Sequence, residues 1–385
     1  MERRNFLRVA VVGGAAAAFG GASWGTAFAA TAQPGPSPYG ALLAADANGI
    51  HLPVGFASRV IARTGQKVAG TDYFWHPAPD GGACFADGAG WIYVSNSEVP
   101  LVGGVGAVRF DASGAITGAY RTLSGTNVNC AGGATPWGTW LSCEEIDYGR
   151  VFETDPWGVR AAVARPALGK FKHEACAADA DHGYIYLTED TTDGCFYRFR
   201  PTTWGDLSSG VLEVMTGAND LVDGPVGWAR VPDPDGFPIT TRKQVPTAKR
   251  FNGGEGCHYA AGTCWFTTKG DNRVWSYRPA TSTIALTYDD SLVTGTPPLT
   301  GVDNITRSAT GDLYIAEDGG DMEINIITPA GVVAPFLRIA GQSSSEITGP
   351  AFSPDGRRLY FSSQRGTAGN VFGGITYEVT GPFRS

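Results

Sequence analysis

A short phrase, a turn followed by an aromatic and aliphatic strand, recurs six times along this chain of 385 residues. The copies read GWIYVSNSE, GTWLSCEE, GYIYLTED, GTCWFTTKGD, GDLYIAEDG and GRRLYFSSQRG. Their central aromatic residues lie 47, 46, 79, 49 and 46 residues apart and are Tyr93, Trp140, Tyr186, Trp265, Tyr314 and Tyr360. Repeats of roughly 40 to 50 residues built from short strands are typical of β-propellers, in which each repeat forms one four-stranded blade. The sequence therefore predicts an all-β fold, a six-bladed β-propeller.

The beginning of the chain has the composition of an export signal. Arg3 and Arg4 precede an apolar run rich in alanine and glycine, which ends in Ala-x-Ala sites. We therefore expect a twin-arginine signal peptide over residues 1–32. It would be recognised by the twin-arginine translocase and removed, so that the mature protein is periplasmic or extracellular and has no membrane contact.

The rest of the chain, residues 33–385, is predicted to form a single propeller domain. The interval between Tyr186 and Trp265 equals about one period plus an insertion of some 30 residues. Proline, aspartate and glycine dominate the middle of this interval. We expect an irregular insertion near residues 204–250. We also expect the mature protein to be a monomer.

The charge balance restricts the ligands. The formal net charge is −8, and loss of the signal removes three arginines and one glutamate, which makes it more negative. Binding of a nucleic acid requires lysine and arginine to neutralise its phosphates, so this class of partner is excluded. A small anion could still bind if metal ions supplied positive charge.

Two sets of polar residues recur in register with the repeats. One set stands three residues after each central aromatic and comprises Asn96, Cys143, Glu189, Thr268, Glu317 and Ser363, with Glu98, Glu144, Asp190 and Asp318 close by. The other stands 10 to 14 residues before the aromatics and comprises Asn129, Glu174, Glu255, Asp303 with Asn304, and Glu346. If the first strand of each repeat lines the central channel, both sets converge at one mouth. Clustered carboxylates repel one another unless cations lie between them, so we predict a metal site there.

Nine residues are candidate metal ligands: Cys143, Glu144, Glu98, Glu174, Glu189, Asp190, Glu255, Asp303 and Glu317. A thiolate among carboxylates suits iron or zinc better than calcium, although a buried thiol or half of a disulfide is an equal alternative for Cys143. The seven cysteines leave at least one unpaired, and their connectivity stays open. Lys172, Lys269 and Arg365 follow the same rim and are candidate catalytic residues that bind an anionic substrate, with a solvated charge as the alternative for each.

The run from Asn129 to Glu145, NCAGGATPWGTWLSCEE, resembles the hallmark of the PhoX-type alkaline phosphatases. Further similarities are Lys172-His173-Glu174, Thr188-Glu189-Asp190, Gly254-Glu255-Gly256 and Asp303-Asn304, together with the twin-arginine signal. Where many family members have Asn-His-Glu and Cys-Glu-Asp, this chain has Asn96-Ser97-Glu98 and Ala316-Glu317-Asp318.

The resemblance implies an exported enzyme that hydrolyses small-molecule phosphate monoesters at a cluster of iron and calcium. Carried over by position, Cys143 would be an iron ligand. Glu144, Glu255 and Glu317 would bind or bridge iron or calcium, and Glu98, Glu189 and Asp190 would lie on the calcium side.

Two other functions remain open at this point. A calcium-dependent lactonase or arylesterase propeller also places carboxylates at its channel, but a thiol in that position argues against it. A propeller whose ions are purely structural would bind metal without turnover.

Overall fold

The computed structural model describes residues 31–384, and the predicted fold is confirmed. Six sheets, antiparallel apart from the parallel pairing of the short strand Gln33–Pro34, surround a central channel as the blades of a propeller. The helical segments within the described residues are single 3₁₀ turns in loops: Pro166–Leu168, Thr241–Lys243, Lys269–Asp271, Asp290–Leu292 and Gly366–Ala368.

Each blade runs outward from the channel in four consecutive strands. The inner strands of blades 1 to 6 are Pro79–Asp87, Asn129–Ala134, His173–Asp179, Gly254–Ala260, Val302–Arg307 and Ile347–Phe352. The second strands are Gly90–Ser97, Trp140–Glu144, Tyr184–Glu189, Thr263–Thr268, Leu313–Glu317 and Arg358–Ser363. The second strands carry the six repeated phrases, so the repeat found in the sequence is the blade itself.

The two outer positions of each blade are less regular in length. The third strands are Gly103–Phe110, Val151–Thr154, Phe196–Thr203, Arg273–Arg278, Glu323–Ile327 and Ile375–Thr380. The fourth strands are Ile116–Thr126, Val163–Ala164, Asp206–Thr216, Thr283–Asp289, Val332–Ile339 and Ala57–Arg63. The fourth strand of blade 6 comes from the beginning of the chain and pairs with its last strand, so the two ends of the fold close the ring.

Short additional strands extend three of the blades. Gly227–Arg230 adds to blade 3, Asp223–Pro225 adds to blade 4, and Gln33–Pro34 and Ile50–His51 both pair with the outer strand of blade 5. The stretch near 204–250 therefore contributes the fourth strand of blade 3 and two edge strands before it returns to the rim. No helix within residues 31–384 is long and apolar enough to cross a membrane.

The hydrophobic core lies between neighbouring blades. The aromatic side chain at the centre of each repeated phrase is buried and contacts the next blade; Tyr93 of blade 1 stacks on Tyr360 of blade 6 with 5.0 Å between ring centroids. Phe196 of blade 3 stacks on Phe266 of blade 4 at 4.2 Å. Strands that are buried on both faces read as continuous apolar runs, which explains the aromatic and aliphatic character of the phrase.

Every inner strand has a break in its pairing near the same end. The register shifts between Pro79 and Gly82 in blade 1, and equivalent shifts occur in the inner strands of the other five blades. A bulge of this kind bends the strand and redirects a side chain. The inner strands approach each other closely at this level, since a Cβ on Gly81 would lie 2.5 Å from the Cα of Ala131.

Candidate metal centre

The bulged ends of the six inner strands and the ends of the six second strands meet at one rim of the channel. In each blade the residue after the second strand donates its backbone N–H to the residue before the inner strand, as Glu98 does to Ala78 at 3.0 Å and Asp318 to Gly301 at 2.8 Å. Because this bond recurs in all six blades, it identifies equivalent positions on the six inner strands and on the six second strands. The two sets of polar residues are thus brought to one mouth.

The second residue of each inner strand forms a ring around the channel. From blade 1 to blade 6 it holds Asp80, Cys130, Glu174, Glu255, Asp303 and Thr348. We call this the inner ring. The position after each second strand forms the outer ring, which holds Glu98, Glu145, Asp190, Lys269, Asp318 and Gln364. Four carboxylates and a thiol in one ring and four carboxylates in the other make this mouth strongly acidic.

Three groups of donor atoms in these rings are spaced as metal ligands would be. Asp80, Glu98 and Cys130 form the first group, Cys130, Glu145 and Glu174 the second, and Glu174, Glu255 and Asp303 the third; within each group the ligand atoms all lie within 4.8 Å of one another. Cys130 joins the first two groups and Glu174 the last two. The three groups therefore form one continuous chain of donors across the channel mouth.

One carboxylate oxygen in the inner ring has no hydrogen-bond partner among residues 31–384. Glu174 is fully buried; its Oε1 accepts a hydrogen bond from the Cys130 thiol at 3.1 Å, and its Oε2 has no hydrogen-bond partner among the described residues. A buried carboxylate oxygen without a partner is costly, and a cation would satisfy it. The donor set fits metal ions: the carboxylates suit hard cations such as calcium, and the thiol suits iron or zinc.

Burial and mutual repulsion favour the protonated forms of most of these acids, whereas contacts with neighbouring groups, including Lys269, lower the pKa of Asp190 and Asp318. Burial, followed by the charge of Glu98, raises the pKa of Asp80 well above its usual value, and burial together with Glu255 does the same for Glu174. Burial also raises the pKa of Glu145 to about 9 and that of Glu255 to about 7. Strongly shifted carboxyl groups at a channel mouth are typical of a functional site.

These shifts predict a pH dependence of stability for the metal-free protein. Between the unfolded pKa of 4.5 and the folded value of about 9 for Glu145, the folded state holds more protons than the unfolded state, so stability falls as pH rises. We expect the melting temperature of chelator-treated protein to decrease from pH 5 to pH 9. The melting temperature of metal-loaded protein should decrease much less over the same range. Scanning calorimetry across this range tests it, and a metal-free protein that gains stability towards pH 9 would contradict it.

Two lysines and an arginine lie among the acids. The Lys172 Nζ is 2.8 Å from Glu145 and 3.1 Å from Asp190, and the Lys269 Nζ is 2.9 Å from Glu255 and 3.3 Å from Asp318. The Arg365 guanidinium is 2.8 Å from Glu346. Their cationic groups reach the rings and remain partly exposed, which makes them accessible to an anion at the mouth.

Three of the predicted ligands lie at the rim with their oxygens engaged elsewhere. Glu144 accepts the backbone N–H groups of Asn127 and Arg150, at 3.0 and 3.1 Å. Glu317 accepts those of Thr300 and Glu323, at 2.9 and 3.1 Å. Glu189 occupies the equivalent position in blade 3, where its bonds run to the following loop and to Arg242 at 3.0 Å. These glutamates fasten the rim loops, and their neighbours Glu145, Asp190 and Asp318 enter the outer ring.

The structure does not bring Cys143 to the acids. It is fully buried in the hydrophobic cluster between blades 2 and 3, where its thiol contacts that of Cys176. The rim residue lies four positions after the central aromatic in blades 1 and 2 but three in blade 3, because Asn129 pairs with Glu144 whereas His173 pairs with Glu189. A shift of one residue turns a strand side chain to the opposite face, so Cys143 lies in the core and not at the rim. The thiol in the inner ring belongs to Cys130 on the neighbouring strand.

Residues Asp80, Cys130 and Glu145 belong to the rings but were not among the predicted ligands. Cys130 and Glu145 directly follow Asn129 and Glu144, which the sequence patterns did single out. The number of residues between the inner-ring residue and the central aromatic varies from blade to blade with the length of the turn between the first and second strands. Ala316 stands where many family members have a cysteine, and its place in blade 5 is that of Cys143 in blade 2. Its side chain is buried in the core, so this difference from the family does not change the rings.

Fold and site together define a six-bladed propeller with a cluster of carboxyl groups and one thiol at one mouth of its channel. The chain belongs to the alkaline phosphatase PhoX family, whose model matches residues 93–149 and 146–366, more than half of the sequence. No curated protein matches it significantly by sequence.

Two solved structures share the fold at low sequence identity. The structure of PhoX from Pseudomonas fluorescens in complex with vanadate is 18% identical, with a TM-score of 0.71 over 91% of this chain and 98% of that chain. A protein of unknown function from Bacteroides thetaiotaomicron is 9% identical, with a TM-score of 0.53 over 86% of this chain and 77% of that chain.

Proposed function

We propose that this protein is an exported phosphatase that hydrolyses small-molecule phosphate monoesters at a cluster of iron and calcium ions. The observation that carries the proposal is the chain of buried and half-buried donors at the channel mouth of a PhoX family member, which comprises Asp80, Glu98, Cys130, Glu145, Glu174, Glu255 and Asp303. The likeness to a PhoX structure that contains vanadate, a transition state analogue, supports a phosphoryl substrate. The export signal lies outside the described residues and rests on the sequence alone.

The donor set assigns different ions to different parts of the cluster. Cys130, as a thiolate with Glu145 and Glu174, would hold iron, and the all-oxygen group of Glu174, Glu255 and Asp303 would hold calcium. Asp190 and Asp318 of the outer ring, and Glu346 beside the rings, would complete coordination. When bound, the ions supply neutralisation of the phosphoryl oxygens and activation of water at moderate pH.

The cationic side chains of the rim would bind and orient the substrate. Lys172 and Lys269 each contact two carboxylates, which raise the pKa of both ammonium groups above the usual value against the effect of burial. These contacts hold both lysines charged beside the cluster. Together with Arg365 they would attract the phosphoryl dianion to an otherwise acidic mouth and hold it for in-line attack.

Metal analysis combined with hydrolysis of p-nitrophenyl phosphate tests the proposed function. We expect the purified mature protein to contain iron and calcium, to hydrolyse this ester, and to lose at least about 100-fold in activity after treatment with a chelator. Restoring both ions should restore activity, since the donors are preformed. Calcium alone with hydrolysis of a lactone or aryl ester, or bound calcium with turnover of neither substrate, would contradict the proposal.

A further inference from the structure

The channel widens again at its opposite mouth. Beyond the bulges, the far ends of the six inner strands enclose a cavity of 310 Å³. A narrow waist of 40 Å³, lined by the bulge residues including Gly81, Gly256 and Asn304, lies between this cavity and the acidic rings. The cavity is therefore a separate space from the candidate metal centre.

The charge in the cavity is opposite to that of the acidic mouth. Arg307, at the end of the inner strand of blade 5, is the one charged residue in its lining; neither aspartate nor glutamate lines it within the described chain. His258 on the neighbouring blade is neutral, because burial and the charge of Arg307 lower its pKa to about 4. A chain with 37 acidic residues thus presents an arginine alone at this end of its channel.

The guanidinium of Arg307 is not satisfied by the protein. Its Nε is buried without a hydrogen-bond partner, and none of the ion pairs within residues 31–384 includes it. Its Cζ lies 6.0 Å from the ring centroid of Trp265. The nearest acid that influences it, Asp312, is engaged at 3.2 Å by Arg384. A half-buried guanidinium with an open donor is suited to bind an oxyanion.

The other lining residues have mostly apolar side chains, although the cavity exposes more polar than apolar surface. Ala83, Ala177, Ala351, Ile305 and Phe352 line the cavity, together with the thiols of Cys84, Cys176 and Cys257. A cavity of this size, with alanine, isoleucine and phenylalanine side chains beside polar surface and one cation, can enclose a small organic ligand that makes both polar and apolar contacts.

We propose that this second mouth is a binding site for a small organic anion, with its carboxylate on Arg307 and a compact apolar body against the alanine and phenylalanine walls. The proposal is independent of the phosphatase function, because the site shares no residue with the acidic rings.

Calorimetric titration of the metal-loaded mature protein tests this site with benzoate, its neutral analogue benzamide and inorganic phosphate as probes. We expect benzoate to bind and benzamide not to bind. Arg307→Gln should weaken benzoate binding at least about tenfold, as loss of a charged hydrogen bond does, whereas Arg307→Lys, which keeps the charge, should weaken it less. Lys172→Gln, at the other mouth, should leave it within about twofold.

Each other result overturns the inference. Absence of benzoate binding, or equal binding to the native protein and to Arg307→Gln, removes the site. Loss of binding in Lys172→Gln but not in Arg307→Gln places benzoate at the acidic mouth. If inorganic phosphate binds as tightly as benzoate and depends equally on Arg307, the apolar body of the ligand contributes nothing to binding, and the proposed ligand class is wrong. The melting temperatures of both Arg307 variants show whether a loss reflects the site or the fold.

Discussion

Replacing Glu174 with glutamine is expected to abolish metal loading of the cluster and to reduce phosphatase activity by more than about 100-fold. Glu174 is the donor that the second and third ligand groups share, and its Oε2 has no partner in the protein. Glutamine keeps the volume but removes the negative charge and one of the two anionic oxygens. Iron and calcium content by mass spectrometry and kcat/KM for p-nitrophenyl phosphate measure the effect.

The matched control is Glu213→Gln in the fourth strand of the same blade. Glu213 forms a partly buried ion pair with Arg198 at 2.8 Å, far from the channel end of the blade. Such a pair contributes little to stability, so metal content and kcat/KM should stay within about twofold of the native values. Full metal content in Glu174→Gln, or an equal loss in both variants, would rule out Glu174 as a ligand.

Replacing Cys130 with alanine is expected to remove iron and to reduce activity at least about 100-fold, whereas Cys143→Ala should retain both. Both thiols are buried in blade 2, but Cys130 joins two ligand groups and Cys143 packs between two blades. The second variant should lose about 1 kcal/mol of stability because it leaves a small gap in the core.

The pair of variants separates a metal ligand from a packing residue. Iron content, activity and melting temperature are measured for both proteins. Loss of iron in Cys143→Ala with full iron in Cys130→Ala would restore the assignment that the sequence pattern and the family resemblance favour, and would contradict the geometry of the rings.

The number of blades followed from the sequence because each blade is a local unit. Hairpins of strands buried on both faces impose continuous apolar, aromatic-rich phrases at a regular period, and Tyr93, Tyr186 and Tyr314 mark that period without reference to distant residues. The convergence of acids at one mouth followed from the same regularity, since the start of an inner strand and the end of the next always share a rim.

The identity of the side chains that face the channel was decided only by the tertiary structure. Glu144 and Glu145, or Asn129 and Cys130, are adjacent in sequence and differ by half a strand period, so a register uncertain by one residue exchanges a ligand for a structural residue. The bulges and the variable strand length between Trp140 and the rim set that register. The lone charge of Arg307 likewise depends on which residues of six separate strands meet at the far mouth, and no local pattern encodes that meeting.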